Sequence, residues 1–255
     1  MGEAIIHGLL KHKKASSQSV FISDIDEKRT AHLAAKYKIN VSTNQFVSRD
    51  VDVLILAVKP QDMRLACEGI RDSIASEALV ISLAAGITLG FLKGFFPNHN
   101  LVRAMPNNPC LIGQGTIVLS WGKIDPAAKK EVLDIFSAVG EVLEISEKHM
   151  DTVTALSGSG PAFVYVFAQA LVKAGQHEGL SEKEALFLAF STLKGSVLTL
   201  KESGKPVEEL ISMVASPKGT TEEGLLVLEK KQLSKIVHEA IVAAKKRSIE
   251  LSQQC

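Results

Sequence analysis

The chain has 255 residues, 46% of them hydrophobic and 22% charged, which suits one large domain or two smaller ones with sizeable cores and excludes a disordered protein. A formal net charge of +1 gives no reason to expect nucleic acid, and the uncharged run "ALVISLAAGITLGFL" is glycine-broken and too short for a membrane span, so no membrane partner is expected. The three cysteines, Cys67, Cys110 and Cys255, are odd in number and far apart, and the seven histidines show no metal-ligand spacing, which together predict a cytoplasmic protein without a disulfide framework or a metal.

The chain opens on "MGEAIIHGLLKHKK", a helical pattern in which Glu3 and His7 interrupt the apolar run, unlike a signal peptide. Up to about residue 145, β-branched runs alternate with amphipathic stretches: strands are predicted at 19–23, 51–58, 78–83, 100–105 and 115–120. Helical crossovers such as "DEKRTAHLAAKY" and "DPAAKKEVLDIFSAVG" then imply a parallel sheet covered by helices on both faces. "VDVLILAV" shows almost no alternation, as expected of a strand buried on both sides. After residue 148 every long pattern is helical. "SEKEALFLAFSTLKGSVLTLKES" is apolar over more than one stripe, so it is central to its own domain or packed on another subunit. The division is therefore an α/β domain over 1–148 and an all-α domain over 149–255.

Several turns carry chemistry. Gly2 opens the first helix, and Asp24 ends the following strand about 20 residues later, the spacing of the last glycine and the ribose-binding acid of a dinucleotide-binding βαβ unit. The first strand and the first two glycines of that fingerprint are absent from the sequence. Four aliphatic side chains of such a central strand would contribute about 8 kcal/mol, which predicts either residues upstream of Met1 in the native protein or a compromised domain with weakened cofactor binding. Lys59-Pro60 follows the end of a strand, as do "SLAAG" (82–86) and "MPNNP" (105–109), and open α/β sheets bind ligands at that edge. In "SPKGTTEEGL" (216–225) a hydroxyl-rich turn leads into a helix, whose free N–H groups suit an anion such as a carboxylate; an ordinary capped helix is the competing reading.

Taken in order, Gly2, "AVKP", "SLAAG", "RAMPNNP", "ALSGSGPA" and "SPKGTTEEGLLVLE" resemble the pyrroline-5-carboxylate reductase family over nearly the whole chain. The resemblance implies a Rossmann-type domain, here without its first strand, followed by a helical dimerisation domain. It implies hydride transfer from NAD(P)H to the C=N carbon of a cyclic imine, in a homodimer or larger homo-oligomer. It assigns the substrate to Ser216, Gly219, Thr220 and Thr221, with the Thr221 hydroxyl on the ring nitrogen. It assigns the cofactor to Gly2, Asp24, Lys59, Pro60, Ala85, Gly86, Met105, Pro106 and Asn107. Asp24 favours NADH over NADPH, while Arg29 nearby opposes that preference. Cys110 is expected to be a small packing residue.

Two positions depart from the family pattern: Lys218 replaces a glycine of the substrate loop, and Asn108 replaces a hydroxyl. If position 218 requires positive φ, the lysine costs about 1 kcal/mol or more. An acidic residue that often precedes this loop has no unambiguous match, since Lys205 or Glu202 falls there. Two alternatives stay open at this level. A β-hydroxyacid dehydrogenase shares the two-domain plan but would need a lysine where Val164 stands. A non-catalytic dimeric protein derived from the reductase would bind no cofactor.

Overall fold

The computed structural model describes residues 1–254. Two compact units emerge, one from Met1–Pro161 together with the chain from Val242 onward, the other from Ala162–Ile241. The first holds helix α1 (Gly2–Lys11), strand β1 (Phe21–Ile22), α2 (Glu27–Tyr37), β2 (Asn40–Val41), α3 (Asn44–Arg49), β3 (Val53–Leu56), α4 (Met63–Glu68) and β4 (Leu79–Ser82). It continues with α5 (Leu89–Phe95), β5 (Leu101–Met105), β6 (Gly115–Trp121), α6 (Pro126–Ser137), β7 (Gly140–Glu144) and α7 (Met150–Val153). Local chemistry sets several of these boundaries. Asp26 caps α2 by accepting from the N–H groups of Lys28 and Arg29, and Thr43 and Thr88 cap α3 and α5.

The sheet is in two pieces, β1 paired with β2, and a five-stranded piece in the order β3-β4-β5-β6-β7. All pairings are parallel except β5 with β6, which corrects the expectation of an all-parallel sheet. The physical reason is the connection: Asn108–Ile112 between β5 and β6 is a short 3₁₀ turn, too short for the crossover that a parallel pair requires. The strand Gly140–Glu144 was not predicted, because "GEVLE" alternates charge with few β-branched residues, and the two-residue β2 leaves almost no pattern.

Period-two alternation divides β3, β4 and β5 between two cores. Leu79, Ile81, Val102, Ala104, Ile117 and Leu119 face Ile5 of α1 and Val132 and Phe136 of α6. On the opposite face Leu54, Leu56 and Val80 pack with Met63 and Cys67 of α4, Leu92 of α5 and Phe96. Each fully buried Leu, Ile or Phe contributes about 2 kcal/mol by leaving water. In β3 only Leu54 and Leu56 are fully buried, while Val53 and Ile55 are half-buried against the other core. β3 therefore packs on both faces, as expected, but less deeply on one of them, at the end of the five-stranded piece.

The second unit is helical: α8 (Gly160–His177), α9 (Glu182–Glu202), α10 (Val207–Val214), α11 (Thr220–Lys230) and the first part of α12 (Leu233–Gln254). Ser181 and Glu184 form a capping box that starts α9. Its buried centre is small, consisting of Val172, Ala185 and Ala189 with Leu186 beside them. Phe163, Tyr165, Phe187 and Phe190 remain exposed, Phe187 at 70%. The helical run Glu147–His177 is long and apolar enough, by length and composition, to cross a membrane.

Candidate active site

The turns predicted to hold the cofactor follow the carboxyl ends of successive parallel strands. Asp24 comes two residues after β1, Lys59 and Pro60 follow β3, Ala85 and Gly86 follow β4, and Met105 ends β5 with Pro106 and Asn107 behind it. A fingerprint at this edge also needs a helix N-terminus. Gly2 supplies it: a Cβ on Gly2 would meet the Ala57 Cβ at 3.4 Å, so α1 starts against the end of β3. No side chain caps α1, and Ala4 and Ile5 both bond to the Met1 carbonyl, which leaves the N–H groups of Gly2 and Glu3 without an intrahelical acceptor. Donors facing outward on a strand-end edge fit the pyrophosphate of a nicotinamide dinucleotide. Asp24 is exposed, and one of its carboxylate oxygens accepts from the Asp26 N–H at 3.0 Å. The other oxygen suits ribose hydroxyls.

Farther along the edge, packing explains several residues that motif reading assigns to the cofactor. Gly86 has φ +79°, and the position its Cβ would take lies 3.1 Å from the backbone nitrogen of Ser252 in α12. Asn107 is buried, its oxygen accepting from the Thr116 N–H at 2.9 Å while its amide donates to the Ser157 carbonyl at 3.3 Å. Its side chain ties the turn after β5 to the start of β6 and to the π-helical turn Thr154–Gly158. Gly158 in that turn lies against the end of the Met105 side chain, whose Cε would have to move for a Cβ at 2.4 Å. Cys110 is a packing residue as expected: it is buried, and a Cβ on Gly115 would collide with its sulfur. Burial also pushes the Cys67 thiol up to about 12, which leaves it protonated and unreactive.

The candidate substrate loop belongs to the second unit. Gly219 is the N-cap residue of α11, and no side chain caps that helix, so the first-turn N–H groups around Thr220 and Thr221 stay open to an anion. The Gly219 N–H closes a turn onto the Ser216 carbonyl at 2.9 Å, and a Cβ on Gly219 would clash with that oxygen. Lys218 adopts φ +59°, so position 218 does take the left-handed conformation that favours glycine. Its N–H donates to the Glu222 carboxylate at 2.6 Å, which closes the loop over the first turn of α11.

Two charged clusters escaped motif reading. Glu3, in the first turn of α1, accepts from Lys36 at 3.0 Å and from the Tyr37 hydroxyl at 3.3 Å, and pairs with Arg29 at 3.4 Å. The hydrogen bond from Lys36 is the main reason its carboxyl titrates below the usual range, with Tyr37 and Arg29 adding to it. The second cluster centres on Arg103 in β5. Its side chain is 4% exposed and lies 3.6 Å from Glu147 and 3.7 Å from Asp151. Glu147 accepts from the Leu89 N–H at 2.6 Å, and Asp151 accepts from the Ser248 hydroxyl at 2.7 Å. The sequence signal for this cluster was a lone arginine inside an apolar strand, which needs buried partners.

A doubly wound α/β unit with an open helix N-terminus and strand-end turns at one edge, in a chain whose second half is helical, defines a two-domain nicotinamide-dependent oxidoreductase. A family model for pyrroline-5-carboxylate reductase dimerisation matches residues 147–251, and one for coenzyme F420-dependent NADP oxidoreductases matches residues 1–86. The chain is 37% identical to the pyrroline-5-carboxylate reductase of Methanosarcina acetivorans, covering 100% of this chain and 95% of that protein. It is 36% identical to that of Synechocystis, covering 100% and 96%. The crystal structure of the Plasmodium falciparum pyrroline carboxylate reductase with NADP bound matches with a TM-score of 0.91 at 35% identity, covering 99% of this chain and 94% of that one. The chain belongs to the pyrroline-5-carboxylate reductase family.

Proposed function

We propose that the protein reduces 1-pyrroline-5-carboxylate to L-proline with NAD(P)H, the last step of proline synthesis. The observation that carries the reading is the first turn of α11, which no side chain caps behind a turn closed by Ser216, Lys218 and Gly219. Its N–H groups and the Ser216 hydroxyl receive the substrate carboxylate, aided by the helix dipole. Lys218 adds a cation to the same loop. The Thr221 hydroxyl hydrogen-bonds the ring nitrogen and orients the C=N bond.

The bound cofactor supplies the hydride. Gly2 and the start of α1 hold its pyrophosphate, Asp24 holds the adenosine ribose, and Lys59, Pro60, Ala85, Gly86, Met105 and Pro106 line its path along the strand ends. Asn107 acts here by fixing the shape of the turn after β5, through its bonds to Thr116 and Ser157. No protein acid is required at the nitrogen, because a cyclic imine takes its proton from water.

The helices from about residue 149 onward serve as a homodimer interface, which accounts for the exposed Phe163, Tyr165, Phe187 and Phe190. The apolar run through α8 is then a surface between subunits and not a membrane span. Two buried free thiols, Cys67 and Cys110, suit the reducing cytoplasm. Imine-dependent loss of reduced-nicotinamide absorbance, with proline as product, tests the reading. No turnover together with no NADH fluorescence change would favour the non-catalytic alternative.

A further inference from the structure

Asp24, just past β1, and Arg29, in the first turn of α2, are tied together through Asp26. Asp24 accepts from the Asp26 N–H, and Asp26 in turn accepts from the N–H groups of Lys28 and Arg29 at 3.0 and 3.2 Å. An acid at this position favours the ribose hydroxyls of NADH, while a nearby arginine accommodates the 2′-phosphate of NADPH. The turn therefore carries both signals, and the sequence alone does not rank them. The structure ranks them through a residue of another helix. Arg29 Nη2 lies 3.4 Å from Glu3 Oε2, and Glu3 Oε1 is held at 3.0 Å by Lys36 and at 3.3 Å by Tyr37. Three contacts from α2 fix the Glu3 carboxylate, and that carboxylate occupies the one guanidinium of the turn.

We propose that Glu3 sets the cofactor preference of this chain: it engages Arg29, withholds that guanidinium from a 2′-phosphate, and with Asp24 makes the turn a site for the unphosphorylated ribose of NADH. The proposal rests on the reading that a nicotinamide dinucleotide binds along the strand ends. A 2′-phosphate brings close to two negative charges toward Asp24 and Glu3, with Lys28 as the remaining exposed cation of the turn. The Arg29–Glu3 pair is half-exposed, with side chains 49% and 25% accessible, so its competition is modest. Glu3 thus biases the choice by about fivefold, the size of an exposed ion pair, and does not exclude NADPH.

Calorimetry with 5′-AMP and 2′,5′-ADP, which differ only by the 2′-phosphate, tests this without turnover. The unaltered protein should bind 5′-AMP more tightly than 2′,5′-ADP. Glu3→Gln, which keeps a hydrogen-bonding partner for Lys36 and Tyr37, should raise the affinity for 2′,5′-ADP relative to 5′-AMP about fivefold. Arg29→Ala alone should leave both affinities within twofold, because the guanidinium is already engaged. In the double variant Glu3→Gln/Arg29→Ala the gain should vanish, and in Glu3→Gln/Lys28→Ala it should persist. An unchanged ratio in Glu3→Gln, or a loss of 2′,5′-ADP binding in Arg29→Ala alone, would overturn the proposal. Failure of both nucleotides and of NADH to bind would instead overturn the cofactor reading, and this proposal with it.

Discussion

Gly86 backs directly onto Ser252: at φ +79° its missing Cβ leaves the space taken by the last turns of α12, with the Ser252 nitrogen 3.1 Å from where that carbon would be. The glycine at the end of "SLAAG" is therefore required twice over by the protein itself. Gly86→Ala should cost about 1–2 kcal/mol through left-handed strain and crowding of Ser252. The check is a urea midpoint with unchanged slope. A variant of full stability that binds NADH poorly would mean that cofactor approach, not packing, fixes this residue.

Thr221 carries the strongest expectation for activity. Thr221→Val keeps the shape and removes the hydroxyl from the ring nitrogen, so kcat/KM for the imine should fall at least tenfold, or about 1.4 kcal/mol of barrier. Thermal unfolding should be nearly unchanged, because α11 takes no side-chain cap. Wild-type kinetics would remove Thr221 from the mechanism.

Lys218 at φ +59° stores strain that the family's usual glycine avoids. Lys218→Gly should raise stability by about 1 kcal/mol in denaturant titration. If the cation assists the substrate carboxylate, KM for the imine should rise in the same variant while kcat holds. Equal or lower stability would show that the Glu222 bond to the Lys218 N–H already sets the loop for any side chain.

Asp151 joins β5 to α12, pairing with Arg103 at 3.7 Å and accepting from Ser248 at 2.7 Å. Asp151→Ala leaves Arg103 buried with Glu147 as its remaining carboxylate and strips the Ser248 hydroxyl of its acceptor. The loss should be about 2–3 kcal/mol, less than for a fully buried pair because Asp151 is partly exposed. Ser248→Ala should cost roughly 1 kcal/mol, read by the same denaturant curve. Equal losses for the two variants would mean that Arg103 gains nothing from Asp151.

What the sequence made legible follows from how local each signal is. β4 and β5 were placed within one residue, because "ALVISL" and "NLVRAM" are β-branched runs bounded by turns. The strand-end turns are legible because each follows its strand within four residues. The antiparallel pairing of β6 was missed because direction depends on the length of the connector, and "PNNPCLIGQG" looks like any loop. The clamp on Glu3 was also beyond reach, since its partners stand 26, 33 and 34 residues away and meet it only when α1 and α2 pack. The hydrogen bonds of Asn107 are equally illegible, because an asparagine after a strand carries no mark of which buried groups it will satisfy.

The second unit makes the remaining prediction. Its buried centre is a handful of small and aliphatic residues, while α8 and α9 leave five aromatic side chains, Phe163, Tyr165, Phe167, Phe187 and Phe190, in the open. Exposed aromatic side chains in this number mark a surface for another protein, which in the proposed homodimer is a second copy. Sedimentation at sub-micromolar concentration should therefore show dimers or larger species. Phe187 separates assembly from folding, because at 70% exposure it contributes little to the core of its own chain. Phe187→Asp should leave the helical circular-dichroism signal intact but put an unpaired charge in the interface, weakening association by two orders of magnitude or more, about 3 kcal/mol. A variant that stays dimeric at the same concentration would place the interface on another face of the helices. A folded, wild-type monomer would remove the interface altogether.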